Sequence, residues 1–101
     1  MAKKSAVNNN NSKRVLVAKE ATKRSVLKTL IMKKDASLEE RFAATLKLAS
    51  MPRNGAKNRI RNRCEVTGRP RAYYRKMKMS RIALRDLGNA GLVPGLLKSS
   101  W

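Results

Sequence analysis

At 101 residues the chain has the length of one domain, yet aromatic residues make up only 4% of it and its formal net charge is +19. Several classes are excluded at once. No apolar run approaches the ~18 residues needed to span a membrane, the absence of His rules out Ser–His and Cys–His nucleophiles, and the lone Cys64 cannot form an internal disulfide.

So much positive charge in a small volume repels itself, and a core drawn mostly from Ala, Leu and Val has little to spare. The expected state is a set of local helices and extended segments that order fully only against a polyanion, with nucleic acid the best fit to a pI near 11.4. The fold class expected is mainly α with extended segments: an N-terminal helical pair, an Arg-rich extended or loop region, then a short C-terminal helix and tail. The whole is expected to be non-compact and ordered on RNA.

In chain order, residues 1–12 read as a disordered basic N-terminus, with Asn8 to Asn11 as the one low-complexity patch and no apolar stretch to serve as a signal peptide. Residues 13–52 read as a helical arm. Its first helix is expected from about Lys13 to Lys34, capped by Ser12, with Val15, Ala18, Ala21, Val26, Leu27, Leu30 and Ile31 as a broken apolar stripe. Ser37-Leu38-Glu39-Glu40 is a capping box for the second. There Leu38, Phe42, Leu46 and Ala49 recur every three or four residues, predicting an antiparallel pair closed over that stripe. Met51-Pro52-Arg53-Asn54-Gly55 ends the helix, because Pro disfavours helix in the residue before it.

Residues 53–101 read as an Arg-rich RNA-binding core with a short helix and a C-terminal tail. Residues 1–50 carry nine Lys and three Arg, whereas residues 51–101 carry four Lys and nine Arg. Arginine's flat fork grips a phosphate bidentately or stacks on a base, where lysine is a mobile point charge. From Ala56 to Met79 no hydrophobic period persists, so an extended segment is expected. It would place Arg59, Arg61 and Arg63 on one face, with Arg53, Asn54, Lys57 and Asn62 nearby. Thr67-Gly68-Arg69-Pro70 is a turn whose glycine would admit a sugar–phosphate chain. Tyr73 and Tyr74, set among Arg71, Arg75 and Lys76, suit stacking on splayed bases, with one ring packed and the other on RNA. A third helix is expected from about Ser80 to the Gly88–Gly91 region. It sets Arg81 and Arg85 one turn apart at its opening, where cations are disfavoured unless phosphate lies there.

No metal, cofactor or catalytic site is expected. Positions 64, 67, 80 and 83 have the spacing of a four-cysteine zinc site, but they hold Cys64, Thr67, Ser80 and Ala83. Glu39 and Glu40 are adjacent in a first helical turn and do not converge on one substrate atom.

The chain resembles the S-fourteen family of small-subunit ribosomal proteins. The likeness is carried by Leu48-Ala49-Ser50-Met51-Pro52-Arg53-Asn54, Arg61-Asn62-Arg63-Cys64, Thr67-Gly68-Arg69-Pro70-Arg71, Ser80-Arg81-Ile82, Pro94-Gly95-Leu96 and Lys98-Ser99-Ser100-Trp101. Its length is that of the zinc-free branch; a shorter branch has cysteines at the positions of Cys64, Thr67, Ser80 and Ala83. The resemblance implies a structural role without chemistry in the head of the small subunit, on ribosomal RNA and beside neighbouring head proteins. The family's RNA-facing residues carry over to Arg53, Asn54, Arg61, Asn62, Arg63, Gly68, Arg69, Arg71 and Arg81. The closing Lys98, Ser99 and Trp101 are added as contacts, Trp101 either wedging against RNA or capping the tail. The expected setting is a cytoplasmic ribosome, or an organellar one, with no membrane and no homo-oligomer. The rival reading is a general nucleic-acid-coating protein or RNA chaperone.

Overall fold

The computed structural model describes residues 2–99; Met1, Ser100 and Trp101 lie outside the described residues. In chain order it contains α1 (Lys4–Met32), α2 (Leu38–Ser50), two single 3-10 turns (Arg53–Gly55 and Lys57–Arg59), β1 (Tyr73–Tyr74), β2 (Met79–Ser80) and α3 (Arg81–Asn89). The chain divides into two compact units, one of residues 9–60 and one joining residues 1–8 to residues 61–101.

In the unit of residues 9–60, α1 and α2 form a helical hairpin. Arg41 Nε on α2 donates to the Ile31 carbonyl at 3.0 Å, and Arg24 Nη2 on α1 donates to the Pro52 carbonyl. Pairing 31 with 41 and 24 with 52 means that the chain doubles back. Ser37 caps α2 as its capping box predicts, its Oγ accepting from the Glu40 N–H at 3.3 Å, and the helix stops before Met51-Pro52. The inward face of α1 follows Val17, Glu20, Arg24, Leu27 and Ile31, and that of α2 follows Arg41, Ala44 and Leu48. The stripe expected to close the pair does the reverse: Leu38, Phe42 and Leu46 are 81%, 64% and 56% exposed. The hairpin closes instead where an arginine can reach a backbone carbonyl left free at a helix end or turn.

The unit of residues 1–8 and 61–101 is built around turns. Here α1 starts at Lys4 rather than near Lys13, and residues expected to be disordered are helical through the Asn run. Asn is a poor helix former, but the first turn is docked: Ala2 N–H donates to the Thr67 carbonyl at 3.3 Å. A Cβ built on Gly68 would stand 2.9 Å from Val7 Cγ2 and 3.1 Å from Ala2 Cβ. The segment expected to be extended after Arg61 is folded on itself. Gly68 N–H donates to the Cys64 carbonyl at 2.8 Å, Cys64 N–H to the Arg69 carbonyl at 3.0 Å and Glu65 N–H to the Lys78 carbonyl at 3.1 Å.

β1 and β2 pair antiparallel with Tyr73 opposite Ser80 and Tyr74 opposite Met79. Their four-residue connection ends on Lys78 in the left-handed region, at φ +54. Ser80 then caps α3, its Oγ accepting from Ala83 N–H at 3.2 Å. Gly91 (φ +73) ends α3 with Leu92 N–H returning to the Leu87 carbonyl at 3.0 Å, the Schellman closure.

Among the described residues the buried apolar side chains are only Ala44, Cys64 and Ala83. Fixing one residue's backbone costs about 1–2 kcal/mol, and burying one such small side chain returns on the order of 1 kcal/mol. A core this small leaves most of the ordering to other contacts.

Candidate nucleic-acid interface

The basic residues fall into one set per unit. In the unit of residues 9–60, Pro52 and the buried Gly55 place the two 3-10 turns against α1, where a Cβ on Gly55 would lie 3.4 Å from Arg24 Nε and 3.5 Å from Glu20 Cβ. Arg53, Asn54, Lys57 and Arg59 are all exposed on these turns. Lys57 shares a groove of about 970 Å³ with Arg24 and Lys28 of α1. Lys28 is not among the contacts expected from the sequence, where its place one turn after Arg24 on the same helix face is the signal for it. Arg59, inside a 3-10 turn, does not alternate with Arg61 and Arg63 along one strand as expected.

In the other unit several arginines are turned onto their own chain. Arg61 Nε donates to the Pro70 carbonyl and Arg63 Nη1 to the Gly68 carbonyl, each at 3.0 Å. Arg61 and Asn62 remain exposed, whereas Arg63, Thr67 and Arg69 are half-buried. Gly68 is buried at φ +78, and the space expected for a sugar–phosphate chain is filled by Val7 and Ala2. Ser80 is fully buried with its hydroxyl committed to the cap. These last two residues shape the site from within.

The outward set comprises Arg71, Tyr74, Arg75, Lys76, Arg81, Arg85, Lys98 and Ser99, all exposed. Tyr73 is half-buried and Tyr74 is 51% exposed, so one ring packs and the other stands free. Tyr74, Arg81, Arg85, Lys98 and Ser99 line one hollow of about 630 Å³. Thr67, Arg69, Arg71 and Ser80 line another of about 400 Å³. Arg81 opens α3, where the helix itself already carries positive potential that an anion would answer, and Arg85 stands one turn further along the same face. Lys98 Nζ donates to Asn89 Oδ1 at 3.4 Å, which ties the tail to α3. Trp101 lies outside the described residues.

Cys64 sits where the two turns meet. Burial pushes its thiol up, but the Thr67 side chain and the backbone of Ser80, Thr67 and Val66 outweigh that and hold it down at about 6. The Thr67 N–H lies 3.5 Å from Sγ, and the Ala83 N–H meets Ser80 Oγ in the same way. The four positions thus converge, but one sulfur and two hydroxyls are not a zinc donor set. No group of three or more metal-ligating side chains occurs among the described residues, and no helix among them is long and apolar enough to cross a membrane.

A small, cationic, nearly coreless chain with arginines posted on fixed turns defines a protein of ribonucleoprotein type. Comparison with known proteins gives the family. Residues 47–100 match the family described as ribosomal protein S14p/S29e, and the chain belongs to it. It is 66% identical to a protein of Agrobacterium fabrum and 68% identical to proteins of Rhizobium meliloti and Xanthobacter autotrophicus, each over 101 residues and the full length of both chains. All three are named small ribosomal subunit protein uS14.

Proposed function

We propose that the chain is a structural constituent of the small ribosomal subunit that binds ribosomal RNA in the head, lies beside neighbouring head proteins, and supports assembly without performing chemistry. The observation that carries this is the pairing of a minimal core with exposed cations held on rigid turns. Arg71, Arg75, Arg81 and Arg85, with Tyr74, are the primary contacts. Arg61, Asn62, Arg63, Arg69, Thr67, Lys76, Lys98 and Ser99 surround them, and Arg53, Asn54, Lys57 and Arg59 act from the other unit with Lys28. Gly68 and Ser80 hold the turns that present them. Phosphate contacts position the protein and the tyrosine face reads unstacked bases. The setting is the cytoplasmic ribosome of a bacterium, as the bacterial relatives favour.

The test is sedimentation of cell extract through sucrose gradients at low and high salt, following the chain by mass spectrometry. With roughly eight phosphate contacts as the only hold, affinity would fall with a log–log salt slope of about −6 to −7. Stoichiometric retention on the small subunit in high salt is the expected result. Release to the top of the gradient, or spread over all nucleic acid, would mean a general polyanion binder instead.

A further inference from the structure

The outward face of α2 is unlike the rest of the chain. Leu38, Phe42 and Leu46 recur every fourth residue, so they stand one above another on one side of the helix, and all three are exposed (81%, 64% and 56%). Helical spacing puts Glu39 on the flank of that stripe, beside Phe42 and Leu46, and the exposed Ala49 extends it. Residues 35–40 contain Asp35, Glu39 and Glu40 and no Lys or Arg, in a chain of net charge +19 with six acids in all. The two cations of α2 lie off the stripe: Arg41 is turned onto the Ile31 carbonyl, and helical spacing puts Lys47 on another side.

We propose that this face is a docking surface for a protein neighbour that presents an apolar patch edged by Lys or Arg. Three arguments select that partner. RNA is disfavoured, because the acids repel phosphate and the stripe carries no cation or hydrogen-bonding side chain for a phosphate or a base edge, which leaves the lone Phe42 ring as its one possible stacking contact. A second copy of the chain would bring Asp35 and Glu39 against their own kind, with no cation on the stripe to answer them. An apolar centre with an acidic rim is complementary to an apolar centre with a basic rim, a composition expected of proteins that share a particle with this one. That last step rests on the ribosomal reading; the first two do not.

The experiment places a photoreactive residue, Phe42→p-benzoylphenylalanine, in the full chain in living cells. The cells are irradiated before lysis, and the crosslinks are then mapped by mass spectrometry. The expected product joins position 42 to another protein, at a peptide in which apolar residues are flanked by Lys or Arg. Crosslinks to RNA, to a second copy, or to nothing while the same label at Lys76 crosslinks to RNA would overturn the proposal. A chain that crosslinks to a basic protein but never sediments with the small subunit would leave this inference standing and defeat the ribosomal reading.

The second arm is the full-length variant L38S/F42S/L46S. Its helical circular dichroism and its binding to naked ribosomal RNA are expected to be unchanged, with retention on the subunit in high salt reduced about tenfold or more. Unchanged retention, or a loss of helix showing the stripe to be internal packing, would each overturn it.

Discussion

In residues 9–60, two helices meet through long cationic side chains that reach across to backbone carbonyls, Arg24 to Pro52 and Arg41 to Ile31. In residues 61–81 the chain is held by its own backbone, with Cys64, Glu65, Gly68 and Arg81 each donating an N–H to a nearby turn carbonyl. The first region spends Arg24 and Arg41 on structure, keeps Arg53 and Arg59 exposed on its turns, and leaves its apolar stripe outward. The second ties the exposed Arg61 and the half-buried Arg63 to its own turn carbonyls and sets Arg71, Arg75, Arg81 and Arg85 outward, all exposed. Arginine is therefore not one signal in this chain: its job depends on whether a carbonyl free of helix or strand pairing lies within its reach.

The largest effect that would sharpen this comparison is on binding. Replacing the outward trio Arg71, Arg75 and Arg81 by Ala is expected to lower the salt slope of RNA affinity by about 3, one for each phosphate contact. Replacing Lys3, Lys4 and Lys13 is expected to change it by less than half as much, measured by filter binding across a salt series. Equal losses would mean that the cations act as a diffuse cloud. Next comes a pair of glycines. Gly68 has φ +78 and Val7 Cγ2 only 2.9 Å from where a Cβ would lie, so Gly68→Ala is expected to destabilise the turn by about 2 kcal/mol or more. Gly55 meets Arg24 and Glu20 at ordinary contact distance, so Gly55→Ala should leave amide exchange almost unaltered.

How far the sequence was legible differs between the two regions for the same reason. Local chemistry was readable: the Ser37 cap, the stop at Met51-Pro52, the start of α3 near Ser80, its end within the Gly88–Gly91 region and the packing of one of the two tyrosines. Faces were not. Hydrophobic periodicity finds the buried side of a helix only where apolar burial decides the packing, and here Glu20, Arg24 and Arg41 occupy inward positions. The period of α1 therefore looked broken, and that of α2 pointed outward. The turns after Arg61 carry no period because backbone hydrogen bonds, not side chains, hold them. The docked start of α1 depends on Val7 meeting Gly68, sixty-one positions away, which no local rule reports. Of the expected contact residues, the exposed arginines were legible, whereas the buried settings of Gly68 and Ser80 needed the fold.

The Cys64 region offers a pH test of the same comparison. Its thiol is held at about 6 in the folded chain against an ordinary 9.0. Between those values the unfolded chain binds the extra proton, so stability rises with pH across that window and is lost as pH falls through about 6. Urea unfolding followed at amides 64–80 should show this rise, and Cys64→Ser, which does not titrate, should flatten it. Amides on α2, with no such group, should show no matching slope in either protein. Smaller still is the cap: Ser80→Ala removes the acceptor of the Ala83 N–H and is expected to cost about 1 kcal/mol, read as faster exchange over α3 alone.

The smallest effect has the opposite sign. Ala72 sits at φ +56 and its carbonyl accepts the Arg81 N–H at 2.8 Å, so the turn into β1 also anchors the first turn of α3. A side chain in the left-handed region costs roughly 1–2 kcal/mol. Glycine removes that cost but gives the unfolded chain more freedom, worth about 0.4–1 kcal/mol. Ala72→Gly is therefore expected to stabilise residues 64–80 by a few tenths to about 1 kcal/mol, seen as slower exchange at the Arg81 amide, with the helical arm untouched. Destabilisation would mean that the freedom glycine adds to the unfolded chain outweighs the strain relieved at Ala72, so that the left-handed turn is cheaper for this alanine than its φ implies.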